Sequence, residues 1–202
     1  MSASSSVRKG AWAAIVALLL IVAVSLTYQF VLKGTNNGFM SNTKIGKPFD
    51  LIDHNGNAIT EAVLSGKPSA VFFGFTHCPE VCPTTLYELS GWLDALGEDG
   101  KDINSFFITV DPERDSPEVM KSYVENFTDR IIGITGNPDE IFKLAKSWHV
   151  YWKKVPLDDG DYTLDHTASI FLVDAKGNFK STIAFRENGE TAMQKLRNLV
   201  KN

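Results

Sequence analysis

Cys78 and Cys82 are the only cysteines of the chain, four positions apart in Phe75-Thr76-His77-Cys78-Pro79-Glu80-Val81-Cys82-Pro83. Two sulfurs this close can form a disulfide, exchange with other disulfides, or grip a soft metal ion. All three chemistries use the thiolate. The segment follows an apolar run, Ala70 to Phe75, and precedes Leu86, Leu89, Leu93 and Leu96, which repeat at helical spacing up to Gly97. The pattern predicts a strand turning into a helix, with Pro83 at the first helical position and Cys82 at or near the N-cap. A helix N-terminus offers free N–H groups and the positive end of a dipole, so a thiol held there ionises readily. The competing reading is a structural staple. A bridge closing so few residues restrains the unfolded chain little, which disfavours it.

Ala11 to Leu32 is a run of 22 residues without a charge, with Arg8 and Lys9 before it and Lys33 after it. About 20 apolar residues span a bilayer as a helix, whereas the apolar core of a cleaved signal is shorter and ends in small residues. Tyr28-Gln29-Phe30 is a poor cleavage context. The run is therefore predicted to be an uncleaved transmembrane anchor, preceded by a cytoplasmic tail (1–10) and followed by a linker (33–44) and one domain (45–202). Arg8 and Lys9 stay cytoplasmic by the positive-inside rule, which exports the domain. An inner (cytoplasmic) membrane with the domain in the periplasm is the expected location, the mitochondrial inner membrane the alternative. The absence of an Arg-rich, Ser-rich transit stretch favours the former.

Setting Arg8, Lys9 and Lys33 aside leaves 17 basic against 24 acidic residues, about −7 for residues 34–202. With no basic run, nucleic-acid binding lacks its main electrostatic term. The exported part is long enough for a full hydrophobic core. Along it, 49–52 and 58–60 read as a hairpin about Asn55-Gly56-Asn57. Strands are expected at 70–75, 103–110 and 131–135, and helices from Ser116-Pro117 to about Phe127 and from Asn137-Pro138 to about Trp148. A hairpin of 169–173 with 181–185 and a helix over 190–200 close the chain. Trp92, Trp148 and Trp152 read as packing, His54 and His149 as surface residues, and Tyr151 to Tyr162 as a polar connecting loop able to move for a partner.

The order of elements resembles the thioredoxin-like fold, an α/β arrangement with a central mixed sheet. Thioredoxins space their cysteines by two residues and place a cis-proline before the late hairpin. Here the spacing is three, and Leu164-Asp165-His166-Thr167-Ala168 stands where the proline would be. Cys78, Cys82 and His166 can then converge. Two thiolates select Cu(I), and an added imidazole also admits Cu(II). Zinc would need a fourth donor, from water, His77, Glu80 or another residue. His77 points away from Cys78 if the segment is extended, which ranks it below His166. Asp165 either orients His166 or bonds the turn backbone. The Asp111 to Asp115 stretch reads as a turn held by local hydrogen bonds and an Arg114 ion pair rather than as a copper ligand.

Three motifs in order, Thr76-His77-Cys78-Pro79-Glu80-Val81-Cys82-Pro83, Thr109-Val110-Asp111-Pro112-Glu113-Arg114-Asp115 and Asp165-His166-Thr167, resemble the Sco/SenC family of membrane-anchored copper chaperones. The resemblance covers about residues 45–200; Glu80 stands where Asp is common. It implies copper bound by Cys78, Cys82 and His166, and assistance in assembling the CuA centre of cytochrome c oxidase subunit II. A further periplasmic copper chaperone is an expected partner. A metallochaperone is expected rather than a turnover enzyme. The alternative is a thiol-disulfide reductase in which Cys78 and Cys82 reduce the target's cysteines. A peroxidase ranks third, since His77 and Thr76 do not supply the Thr and Arg that activate its thiolate, and a purely structural module last.

Overall fold

Apolar residues in unbroken sequence suit a strand covered on both faces. Ser69–Gly74, β3 of nine strands among the described residues, is buried at all six positions. Before it lie β1 (Asp50–Asp53) and β2 (Ala58–Thr60); after it come β4 (Asn104–Thr109), β5 (Ile131–Thr135), β6 (Trp152–Pro156), β7 (Tyr162–His166), β8 (Ser169–Val173) and β9 (Phe179–Ala184). Among the described residues after Lys44 the α-helices are α1 (Val81–Ala95), α2 (Pro117–Val124), α3 (Pro138–Ser147) and α4 (Gly189–Val200). The computed structural model describes residues 12, 15–25, 44–158 and 160–201. The chain divides into two units, Met1–Met40 and Ser41–Asn202.

Seven strands form one mixed sheet in the order β2-β1-β5-β4-β3-β8-β9. β3, β4 and β5 run parallel, while β8 lies antiparallel on the other side of β3, with Phe72 opposite both Phe107 and Ile170. The core gathers Phe72, Phe73, Phe75, Phe106, Phe107 and Trp148, all at most 2% exposed. The three helices after α1 start where the sequence places capping residues: Ser116 accepts from Val119 N, Asn137 from Asp139 N, and Asn188 from Glu190 N and Thr191 N. The α/β mixed sheet expected from the sequence is present, as is the Asn-Gly hairpin of β1 and β2.

Several expectations change. Tyr151 to Tyr162 is not an irregular loop: β6 and β7 form a separate two-stranded antiparallel sheet, with Trp152 opposite His166 and Lys153 opposite Asp165. Only Leu164 of the pair is fully buried, and the exposed Lys153 and Lys154 break the alternation of β6, so the pattern in sequence is faint. Helix α1 begins two residues earlier than expected, with Glu80 at the N-cap, so Cys82 lies inside the first turn and Pro83 is third. Pro83 still forfeits only an N–H that has no intrahelical partner. His54 is no bystander: its N–H donates to Gly133 O and its Nδ1 accepts from Gly133 N, both at 2.8 Å, prolonging the β1–β5 pairing.

Of the expected span 11–32, residues 12 and 15–25 are described, and they are helical with exposed side chains. The remainder, with the tail 1–10 and linker residues 33–43, lies outside the described residues. Among the described residues no helix is long and apolar enough to cross a membrane.

Candidate metal centre

The cysteine turn begins where β3 ends. A Cβ on Gly74 would sit 2.7 Å from Cys82 Sγ and 2.7 Å from Phe107 Cε2, so only glycine lets the sulfur pack onto the strand. The chain then folds back: Cys78 N donates to Phe75 O at 3.3 Å, and Cys82 N donates to Cys78 Sγ at 3.4 Å. Glu80 makes no side-chain cap, so the Cys78 sulfur takes one of the orphan N–H groups at the start of α1. Cys78 is 9% exposed and Cys82 fully buried.

His166 ends β7. Its Nδ1 lies 3.0 Å from Thr167 O, and because a carbonyl only accepts, the ring proton sits on Nδ1. Nε2, left with its lone pair, faces Cys82 Sγ at 3.4 Å. The rings of Phe72 and Phe75 meet the imidazole edge-on, with centroids 6.1 and 5.7 Å away. Cys78, Cys82 and His166 thus bring two sulfurs and one nitrogen within 4.8 Å of one another, and no other such cluster occurs among the described residues.

The two thiols differ sharply. A hydrogen bond from Cys82 pulls Cys78 down to about 4, outweighing its partial burial, with the backbone N–H groups of Cys82 and Glu80 assisting. Burial pushes Cys82 well above the ordinary thiol range, and the neighbouring Cys78 charge adds to it. At neutral pH the pair therefore holds one thiolate and one proton. A soft cation replaces that proton by stabilising the second thiolate, which is how metal binding releases protons from thiol sites.

The Asp111 to Asp115 turn supports both halves of the cluster. Asp115 is fully buried and accepts from Thr76 N at 3.2 Å, Thr76 Oγ1 at 2.6 Å and Thr109 Oγ1 at 2.5 Å, which fixes the base of the cysteine turn. Its own carbonyl accepts from Thr135 Oγ1 at 2.7 Å. Burial raises the Asp115 carboxyl above its usual range, against the pull of these donors. At the other end Asp111, equally buried, accepts from Arg114 Nε at 2.5 Å and Tyr162 OH at 2.8 Å. Arg114 also donates to Tyr162 O at 2.9 Å and to Asp161 at 3.1 Å, and lies 3.7 Å over the Tyr162 ring. Lys154, bonded to Glu113 at 2.6 Å, sits 4.4 Å from the same ring. One five-residue turn thus grips the cysteine side through Thr76 and the histidine-bearing hairpin through Tyr162.

The other sequence candidates fall outside the cluster. His77 Nδ1 faces Thr76 Oγ1 at 3.1 Å and its side chain is 51% exposed. Glu80 pairs with Arg186 at 2.6 Å. Asp165 is exposed and leaves the orientation of His166 to the Thr167 carbonyl. Trp148 is core, Trp92 packs at its edge, and Trp152 stacks on Phe142 with centroids 5.2 Å apart. Sequence reasoning missed Gly74, Thr76 and Tyr162. The signals were a glycine inside an apolar run and a tyrosine four residues before a candidate ligand.

With this geometry in view, the comparisons with known proteins are specific. The SCO1/SenC family model matches residues 38–201. The SCO2-like protein of Rickettsia conorii is 34% identical over 194 residues, covering 91% of this chain and 95% of its own length. The copper-bound structure of Bradyrhizobium japonicum ScoI is 50% identical with a TM-score of 0.71, over 77% of this chain and 99% of that one. The copper-bound yeast Sco1 structure is 37% identical with a TM-score of 0.73, over 79% and 90% respectively. Matched along nearly its whole domain, and carrying its two cysteines and histidine in one cluster, the chain belongs to the SCO1/SenC family.

Proposed function

We propose that this protein is a copper metallochaperone in which Cys78, Cys82 and His166 bind the ion as cargo and pass it by ligand exchange to cytochrome c oxidase subunit II, assisting assembly of the CuA centre. The observation that carries the reading is the convergence of two sulfurs and one imidazole nitrogen within 4.8 Å. Three donors of this type suit Cu(I), the imidazole extends the set to Cu(II), and structural zinc would want a fourth protein ligand. The ion is held near a surface that Cys78 and His166 both reach, as transfer requires. Residues 11–32 supply a single membrane anchor, preceded by the cytoplasmic tail and followed by the linker, which places domain 45–202 on the outer face of an inner membrane.

A second reading is favoured by the asymmetry of the thiols. A Cys78 thiolate can attack a target disulfide to give a mixed disulfide. Cys82, on deprotonation, then displaces the target sulfur, leaving a Cys78–Cys82 disulfide and a reduced target. The two readings part at His166, which metal delivery needs and disulfide exchange does not. The deciding experiment titrates the reduced full chain in detergent with Cu(II), followed by visible absorption and electron paramagnetic resonance, beside Cys78→Ala and His166→Ala. One equivalent bound with thiolate-to-copper charge transfer, abolished by both substitutions, is expected. Unaltered binding without His166, or copper that merely oxidises the cysteines, would sink metal delivery.

A further inference from the structure

The copper-site pole of the domain has a counterpart. β3 and β4 finish at Gly74 and Thr109 beside the metal cluster, and five residues back, about 17 Å at strand rise, β3 starts at Ser69 opposite Val173. Past Val173 the chain turns through Asp174 to Asn178, and Asn178 pairs with Lys44. α3 follows β5, which runs parallel to β3, so its C-terminal end returns to this same opposite pole. There the 44–48 segment separates two adjoining grooves. One, about 580 Å³, is lined by Lys44, Lys47, Lys143, Lys146 and Ser147 among others, and the other, about 250 Å³, by Lys44, Lys47, Glu61 and Lys176.

The domain is acidic, yet these grooves are basic. Lys143 is taken by Glu140 at 2.7 Å, and Glu61 accepts from Phe49 N at 3.3 Å. Among the described residues Lys44, Lys47, Lys146 and Lys176 have no carboxylate partner. Nearby Lys67 and Lys101 differ, being neutralised by Asp102 and Glu98. Four unpaired ammonium groups thus surround the point where the chain enters the domain. Residues 33–43 join Lys44 to the end of the 11–32 run, a tether of at most about 40 Å even if fully extended. On the anchor reading of the preceding section, a bilayer surface is therefore always within reach of this face.

We infer that the Lys44, Lys47, Lys146 and Lys176 grooves dock on anionic phospholipid headgroups of the membrane that carries the anchor, which turns the metal cluster at the far pole outward toward soluble or membrane-borne partners. The bilayer is the occupant because charge complementarity and the tether point to the same surface. Lysines near an anionic membrane each add to attraction that salt screens away within a Debye length.

The test is lysine footprinting by amine acylation and mass spectrometry on the full chain. The chain is reconstituted in vesicles of phosphatidylcholine alone or with roughly one-third phosphatidylglycerol. Acylation of Lys44, Lys47, Lys146 and Lys176 slows at least about threefold on the anionic vesicles, while Lys153 and Lys154, on the hairpin that carries His166, do not change, and high salt erases the difference. In Lys47→Glu/Lys146→Glu, checked for native near-ultraviolet circular dichroism, Lys44 and Lys176 lose their protection. Equal labelling in both lipid compositions, or equal protection of the control lysines, overturns the docking. Carbonate extraction of the same vesicles reads the anchor separately. Release of the chain refutes the anchor, and footprinting with added anionic vesicles then still decides the groove.

Discussion

Asp115→Ala tests the claim that the 111–115 turn holds up the cysteine side of the site. The substitution strips acceptors from three donors at once: Thr76 N, Thr76 Oγ1 and Thr109 Oγ1. The Thr76 hydroxyl can swing to His77 Nδ1, 3.1 Å away, but the Thr76 N–H is fixed by the backbone and stays unpaired. A buried donor without a partner costs about 1–3 kcal/mol, so one full penalty and part of another give about 3 kcal/mol. With a urea slope near 2 kcal/mol/M, ordinary for this size, the midpoint falls by about 1.5 M. Asp115→Asn keeps the shape and one acceptor oxygen, yet turns an NH2 toward a donor, and loses about half as much. The pH dependence carries a sign. Because burial raises the folded carboxyl above its unfolded value, Asp115 favours the fold most below the unfolded value, and that advantage is lost as pH rises through the folded one. The deficit of the Asn variant is therefore larger at low pH and shrinks toward neutrality. Urea unfolding from pH 4 to 8, with Cu(II) charge-transfer spectra of each variant, reads both effects. A loss under about 1 kcal/mol for Asp115→Ala, with an unchanged copper spectrum, would refute the strut.

Three further outcomes follow from the same contacts. Gly74→Ala drives a methyl group to within 2.7 Å of Cys82 Sγ and of the Phe107 ring; overpacking of this kind costs about 1–3 kcal/mol, and copper affinity falls with it, as thermal unfolding and titration will read. Iodoacetamide alkylation of the apo, reduced protein gives a rate for Cys78 that is level from neutral pH down toward 5 and drops only near about 4, since protonation removes the nucleophile; a midpoint near an ordinary thiol would contradict the hydrogen-bonded thiolate. Arg114→Gln removes the ion pair to buried Asp111 and the bond to Tyr162 O, costing about 3 kcal/mol of stability and loosening the β6–β7 hairpin. Its signature is a weakened His166-dependent Cu(II) spectrum beside an unshifted alkylation profile for Cys78.

What the sequence disclosed and what it hid divide along a physical line. β3 and α1 were legible because their apolar positions follow simple periods, and the capping residues Ser116 and Asn137 marked the next two helices. His166 was legible by position, one residue pair ahead of a strand expected beside the cysteine turn. The β6–β7 hairpin escaped because only Leu164 of its residues is fully buried and Lys153 and Lys154 break the alternation of β6, so much of its placement is set by side chains from elsewhere in the chain. Tyr162 is tied to Asp111 and Arg114 across about 50 residues, as Thr76 is to Asp115 across 39. Such contacts have no period and no local signature. The Asp-Pro-Glu-Arg-Asp stretch does read as a turn with an internal ion pair, and Arg114 does bond Asp111. What spacing could not reveal is that each end of the turn carries a spare contact, one toward Cys78 and one toward His166. Those two contacts make a local turn a brace for the whole site. Because the brace reaches the cysteine turn through Thr76 and the His166 hairpin through Tyr162, Asp161 and Lys154, losing either end should relax one side of the cluster and leave the other in place.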